Sequence, residues 1–366
     1  MKNIIGNNLT LTLFGESHGN KIGVVIDGLT PGIKIDYDFI NQCLEKRRPK
    51  GSLETSRVEK DNFEIVSGVF NGFTTGSSLA ILVDNENIKS KDYESIKDLA
   101  RPSHVDYVAN VKYHGYQDYR GGGHFSGRIT APLVIAGAIL IKALEKFNIK
   151  IATHIKQVGN VKDVDFSDIE NEVNRLYEMD FPVISNVKEQ MENEIKLAHE
   201  NLDSVGGIIQ TAIINLPVGL GEPLFSSLES EISRAMFSIG AIKGIEFGSG
   251  FNFASLKGSE ANDEFIIQNN KVITKTNHNG GINGGISNGM PIIFNVVVKP
   301  TPSIYKTQNT IDMNKMENTT ITINGRHDPA IVRRINIVVK AMSAFVIADM
   351  LITKYGVDVF NKDKLD

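Results

Sequence analysis

The chain has 366 residues, 41% hydrophobic and 22% charged, so it can bury a large core and is not disordered in the main. A net charge of −4 argues against nucleic acid as its principal partner, and the single cysteine, Cys43, excludes an intrachain disulfide framework and a cysteine-rich zinc site. The first residues lack the apolar core of a secretion signal and no uninterrupted apolar run approaches ~18 residues, so a cytoplasmic protein with no membrane partner is expected.

Leu9 to Phe14 alternates with period two and reads as a half-buried strand ending in Gly15-Glu-Ser-His-Gly19, a short loop suited to presenting Ser17 and His18 to a ligand. Ile22 to Gly28 is a second strand. Asp36 reads as the N-cap of a helix with Phe39, Ile40, Cys43 and Leu44 on one face. Pro49 closes that helix after Lys46-Arg47-Arg48, which, taken alone, is a basic cluster complementing the helix dipole. Phe63 to Phe70 and Ser78 to Val83 read as an antiparallel hairpin through Asn71-Gly and Thr74-Thr-Gly76. Arg101-Pro-Ser-His-Val-Asp106 is expected to start a helix with Ser103 as its cap and His104 in the first turn, a placement that suits proton transfer near neutrality.

The stretch Tyr113 to Pro132 is the part around which the rest is organised. Gly121, Gly122 and Gly123 remove every Cβ over three residues, so the backbone can take positive φ and let a ligand approach. Arg120 and Arg128 flank the loop, His124 and Ser126 lie between them, and Thr130-Ala-Pro132 opens a helix whose positive end faces it. That combination points to an anion. Ala131 to Ile141 is apolar all round and should be buried, as should a similar helix over Ala330 to Tyr355. Each follows a loop with Arg and His, which suggests a duplication.

Residues 163–201 are charged and helical and read as a peripheral insertion around 163–204 without chemistry of its own. Gly206 to Asn215 is a strand, Leu228 to Ile239 a helix ending at Gly240, 257–264 a polar loop, and 265–273 a hairpin with an Asn-Asn turn. A second glycine-dense loop over Asn277 to Gly289 can wrap a phosphate or planar cofactor, and leads into a strand over 291–299. Neither loop fits a Walker or dinucleotide fingerprint.

Of 39 basic residues only 11 are Arg, and nine of these (Arg47, Arg48, Arg57, Arg101, Arg120, Arg128, Arg326, Arg333 and Arg334) fall in segments rich in Gly, His or Pro. Six of the eight histidines do the same. Lysine supplies solubility here, and arginine is kept where bidentate geometry matters.

Taken together, Gly15-Glu-Ser-His-Gly19, Lys46-Arg-Arg-Pro49, Arg101-Pro-Ser-His-Val-Asp106, Asp118-Tyr-Arg-Gly-Gly-Gly123, Gly280-Gly-Ile-Asn-Gly-Gly-Ile-Ser287, Lys299-Pro-Thr301 and Gly325-Arg-His-Asp-Pro329 resemble chorismate synthase, in matching order from about Gly6 to Tyr355. The resemblance implies a lyase of the shikimate pathway that eliminates phosphate from 5-enolpyruvylshikimate-3-phosphate, giving chorismate for aromatic amino acid biosynthesis, with reduced FMN and no net redox change. It implies an α+β fold, a β-α-β sandwich of antiparallel sheets around central buried helices, in one domain of a homotetramer supplied by an external flavin reductase. By resemblance, Ser17, Arg47, Arg48, Arg101, Arg128 and Arg326 line the substrate pocket. His18 resembles the general acid at the leaving phosphate, His104 the histidine beside the reduced flavin, and Asp328 the carboxylate that assists proton removal. The FMN contacts carried over are Arg47, His124, Phe125, Ser126, Gly240, Ala241, Gly284, Lys299, Pro300, Thr301, Pro302, Ser303 and Arg326.

The chain departs from the family at three places. Many relatives have Arg-Ser-Ser where His124-Phe-Ser stands here, and Arg-Pro-Gly-His reads Arg101-Pro-Ser-His. Ser52 and Leu53 stand where a further pocket arginine is often found, and Arg57 is the candidate to replace it. NADPH is suggested only by bifunctional members that carry it near that segment, and this sequence shows no nicotinamide fingerprint.

Overall fold

The computed structural model describes residues 2–51, 54, 60–86, 94, 96–323, 325 and 327–365. Period-two sequences build a first sheet. β1 (Ile4–Gly6), β2 (Thr10–Gly15) and β3 (Lys21–Asp27) are followed by α1 (Tyr37–Arg47), whose cap Asp36 accepts a hydrogen bond from Phe39 N–H at 2.9 Å. β4 (Phe63–Ser67), β5 (Val69–Phe70), β6 (Phe73–Thr74) and β7 (Leu79–Asp84) come next. The strand order is β1-β2-β3-β7-β4, antiparallel throughout. β4 and β7 are the predicted hairpin, and β5–β6 is a smaller one inside it, turned by Asn71 and Gly72 at φ 50° and 81°.

After α2 (Asp106–Lys112) and α3 (Thr130–Glu145) the chain enters a second sheet. β8 (Lys150–Val158) and β9 (Val161–Lys162) lead to α4 (Ile169–Glu178) and α5 (Lys188–Glu200). β10 (Gly207–Ile214), α6 (Leu228–Ser238), β11 (Ile242–Phe247) and a one-turn α7 (Gly258–Ala261) follow, the last inside the segment expected to be loop. The hairpin β12 (Phe265–Gln268) and β13 (Lys271–Thr274) turns on Asn269 and Asn270, both at positive φ as expected. Then come β14 (Ile282–Asn283), β15 (Ile286–Ser287), β16 (Ile292–Val298), β17 (Gln308–Asp312), β18 (Glu317–Ile321) and α8 (Val332–Tyr355). The second sheet has the order β11-β16-β10-β8-β9, again antiparallel.

α3 packs on β3 and β7 of the first sheet, α8 packs on β8 and β10 of the second, and the two helices pack on each other. This is an α+β sandwich, sheet over helices over sheet. Gly137 lets the helices approach closely, since a Cβ there would lie 2.3 Å from that of Ala341. Gly127–Glu145, which is α3 with the 3-10 turn before it, and α8 are long and apolar enough to cross a membrane by length and composition, but their apolar windows are 72% and 100% buried inside the protein. α4 covers the outer face of the second sheet, where Val173 and Leu176 close a small core with Ala152 and Ala212. Asp349 is a buried polar group on α8, and it accepts the backbone N–H groups of Asn7, Asn8 and Leu9 at 2.8–2.9 Å, so it ties the β1–β2 turn to the helix layer.

Candidate active site

A cleft of about 820 Å³ opens where the N-terminal ends of α3 and α8 meet the C-terminal end of α6 and the β1–β2 edge. Its apolar lining includes Leu11, Leu13, Leu133, Ile335, Val338 and Met342, and the polar groups come from the loops. Two helix N-termini face it, so an anion bound there meets two positive dipole ends.

The first residue of the triple glycine, Gly121, forms part of its wall. Gly121, Gly122 and Gly123 adopt φ of 63°, 101° and 51°, in the left-handed region that the sequence predicted. Two histidines stand against it. A Cβ on Gly121 would lie 2.2 Å from His18 Cε1, and one on Gly122 would lie 3.6 Å from His104 Cε1. Ser17 fastens the first histidine loop to the second half of this wall: its N–H donates to Gly123 O at 3.1 Å, its hydroxyl donates to Arg120 O at 3.3 Å, and the same oxygen lies 3.1 Å from His18 Nδ1. His18 is buried behind Gly121, not among the residues lining the cleft.

His104 corrects an expectation. The helix begins at Asp106, Ser103 caps nothing and sits at φ 56°, and the ring instead places Nδ1 2.9 Å from Asp106 Oδ1. Arg101 grips the same carboxylate bidentately, Nε to Oδ2 at 2.7 Å and Nη2 to Oδ1 at 2.6 Å. Burial opposes ionisation of Asp106, but the hydrogen bonds from Arg101 and His104 outweigh it and hold the carboxyl below the usual aspartate range. Lys299 closes the loop from the other side by donating to Ser103 O at 2.8 Å.

The basic end of α1 is not a solvated cluster. Arg47 is 2% exposed and donates through Nη2 to both oxygens of Asp61 at 3.1 and 3.2 Å. Arg48 Nε reaches the same carboxylate at 3.4 Å and Arg128 Nη1 bonds it closely, so three predicted arginines share one buried acid. Arg128 also donates to Asn85 Oδ1 at 3.0 Å and Asp84 O at 2.7 Å. Arg47, Arg101 and Arg128 line the cleft, whereas Arg48 is not among the lining residues.

Asp328 is paired with Arg334 Nη1 at 2.6 Å, and Arg334 Nε donates to Arg47 O at 2.8 Å. Arg333, next to it, turns inward, pairing with Glu54 and donating to Lys46 O and Arg48 O at 3.0 and 2.5 Å. Arg334 therefore belongs to the cleft and Arg333 to the packing of α8 against α1. Asp61, Asp106 as the holder of His104, and Arg334 as the partner of Asp328 were not found as site residues from the sequence. The adjacency of Arg334 to a loop already singled out was the available signal; Asp61 had none.

Of the residues carried over as flavin contacts, Arg47, His124, Phe125, Ser126, Gly240, Ala241, Lys299, Thr301, Pro302 and Ser303 line the cleft. Phe125 meets Tyr113 edge-on, and His124 Nδ1 lies 3.2 Å from Gly15 O. A Cβ at Gly240 would meet nothing within 4 Å, and Thr301 Oγ1 is buried without a hydrogen-bond partner. Pro300 lies in the same loop but is not among the lining residues. Gly284 stands elsewhere, in the β14–β15 turn beside Gly285, whose carbonyl accepts Leu228 N–H at 2.9 Å at the start of α6. Gly240 follows the other end of that 11-residue helix, roughly 15 Å along its axis. The second glycine loop does not reach the cleft: Gly280 and Gly281 serve close backbone packing against Gly248 and Pro291. Arg326, Arg57, Ser52 and Leu53 lie outside the described residues.

Comparison with known proteins places this chain in a family. The family model of chorismate synthase matches residues 9–352. The chorismate synthase of Pyrococcus abyssi is 47% identical over 349 residues, covering 95% of this chain and 97% of that protein. That of Methanocaldococcus jannaschii is 44% identical, covering 96% and 97%. A crystal structure of a chorismate synthase superposes with a TM-score of 0.77 at 28% identity, over 98% of this chain and 97% of the other. The chain belongs to the chorismate synthase family, enzymes of the carbon–oxygen lyase class.

Proposed function

We propose that the cleft binds 5-enolpyruvylshikimate-3-phosphate and reduced FMN and performs the 1,4-elimination of phosphate that gives chorismate. One observation carries this reading: Arg47, Arg101, Arg128 and Arg334 stand around one cleft whose glycine wall brings His18 and His104 onto adjacent residues. A substrate with one phosphate and two carboxylates calls for several bidentate cations. Arg47 and Arg128 are held by Asp61, so they are ordered before substrate arrives, and little entropy is lost on binding.

His18, fixed by Ser17 against the back of Gly121 and not in the open cleft, is the residue assigned to deliver a proton to the departing phosphate across that glycine. Asp328, turned by Arg334, assists removal of the proton from the substrate carbon. His104, held by Asp106 through Nδ1, would present its other ring nitrogen as a donor to the reduced flavin. The open space at Gly240, the unpartnered Thr301 hydroxyl and the exposed face of Phe125 suit a flat polar ring system, so the residues present fit FMN, with Arg326 also assigned to it. When bound, the reduced flavin supplies electron density that no side chain can. Gly284 joins this reading only through the family pattern. The same reading includes a homotetramer, an external source of reduced flavin and a cytoplasmic setting.

The test is anaerobic phosphate release from 5-enolpyruvylshikimate-3-phosphate with and without dithionite-reduced FMN, with chorismate followed by absorbance. Release that needs reduced FMN and falls by about 100-fold or more in His18→Ala is expected. Full activity in His18→Ala, or release indifferent to the flavin, would overturn it.

A further inference from the structure

One face of the otherwise largely apolar α8 carries a buried polar stripe. Arg333, Asn336 and Lys340 stand at i, i+3 and i+7, on one helix face, and are 7%, 7% and 8% exposed. They face a cavity of about 20 Å³ closed by Lys46 at the end of α1, Tyr177 of α4 and Asp180. That volume suits one water-sized occupant.

The charges around it do not cancel. Arg333 is answered by Glu54, and Asp180 by Lys50 at 2.5 Å. Lys46 and Lys340 have no carboxylate partner among the described residues, and their ammonium groups stand over the same Tyr177 ring, each 4.7 Å from its centroid. Asn336 Oδ1 accepts from Thr153 Oγ1 at 2.8 Å, which turns the amide nitrogen away, and that Nδ2 is buried without a partner. Of the groups lining the cavity, Lys46, Lys340 and the Asn336 amide are donors, and the one carboxylate, Asp180, is already engaged by Lys50. A water could accept two of these bonds but would have to give its own protons to Asp180, which Lys50 already engages, or to Met179 O, which already takes Lys46 at 3.4 Å. A small anion accepts all round and offsets the buried positive charge.

We propose that this cavity is a binding site for one small inorganic anion, a halide, held by Lys46, Asn336 and Lys340. Burial pushes the Lys340 ammonium down to about 8, the cost that an adjacent anion reverses. Lys46 and Arg333 immediately precede Arg47 and Arg334, so the bound ion sits behind the arginine wall of the cleft and fastens the end of α1 to the start of α8.

Sodium bromide is the probe, in two experiments. Crystals of the full chain soaked in bromide are expected to show an anomalous peak between Lys46, Asn336 and Lys340. Replacing gluconate by bromide at fixed ionic strength should raise Tm by ~2 °C per tenfold increase above the Kd. Lys340→Met should remove both effects. Asn336→Asp, which puts a carboxylate where the ion sits, should remove the peak and make melting indifferent to bromide. No peak at this place, a peak only among the cleft arginines, or an unchanged bromide response in Lys340→Met would overturn the proposal. If Lys340→Met does not fold, the wild-type map and Asn336→Asp decide.

Discussion

Gly121→Ala isolates what the triple glycine does. The new Cβ would lie 2.2 Å from His18 Cε1, 2.6 Å from His18 Nδ1 and 3.1 Å from Ser17 Oγ. Ordinary carbon contacts are ~3.5–4 Å, so the ring has to retreat by more than about 1 Å. Holding a residue with a Cβ at φ 63° adds about 1 kcal/mol of backbone strain. With about 1–3 kcal/mol for overpacking, the variant should be about 2–4 kcal/mol less stable than the parent. A misplacement of ~1 Å at a proton donor is enough for a loss of about 100-fold in rate. Gly122→Ala is the control, because its Cβ would meet His104 at 3.6 Å, an ordinary contact, and only backbone strain remains at φ 101°. The assays are urea unfolding and anaerobic single-turnover phosphate release with reduced FMN. If Gly121→Ala kept kcat within about threefold, or Gly122→Ala lost as much, the approach of His18 to the loop would not be what the glycine is for.

Three further perturbations test other parts of the structure. Asp61→Asn takes the shared charge from beneath Arg47, Arg48 and Arg128; it should cost about 3–5 kcal/mol in urea unfolding and raise KM more than it lowers kcat, and an unchanged KM would refute its role in ordering the arginines. Gly137→Ala forces a methyl against Ala341 between the two central helices and should cost about 1–3 kcal/mol, whereas Gly127→Ala, with nothing within 4 Å, should be close to neutral. Burial opposes ionisation of Asp163, but hydrogen bonds from His154, Ser185 and the backbone of Ile184 and Ser185 outweigh it and hold the carboxyl below the usual 3.8. A depressed carboxyl contributes stability that is present above its unfolded value and lost as pH falls through the range below 3.8. Urea midpoints of Asp163→Asn should therefore fall less steeply below about pH 4 than those of the parent, and an identical acid limb would rule this out.

Local patterns were legible wherever one residue type has one physical use. Asp36 could be read as a cap because its side chain needs only the amide three residues on, and the Asn-Asn and Asn-Gly turns because they tolerate positive φ. The triple glycine was legible for the same reason, and all-round apolarity marked α3 and α8 as central. Sequence alone misplaced His104, because a Ser-x-x pattern before a helix cannot tell which residue takes the cap when Asp106 is drawn to Arg101 instead.

What the sequence by itself determined, then, is the inventory: several strands, two buried helices, a glycine loop, and a concentration of arginine and histidine in loops. What only the tertiary structure decided is which of these meet. Asp61 lies 14 residues from Arg47 and 67 from Arg128, Asp328 answers Arg334, and Gly284 ends at the far end of α6 from Gly240. Such partnerships depend on how loops from distant strands are brought together over the helix ends. Periodicity reports which face of an element is buried, but it carries no information on which charged side chain from another element will share that burial.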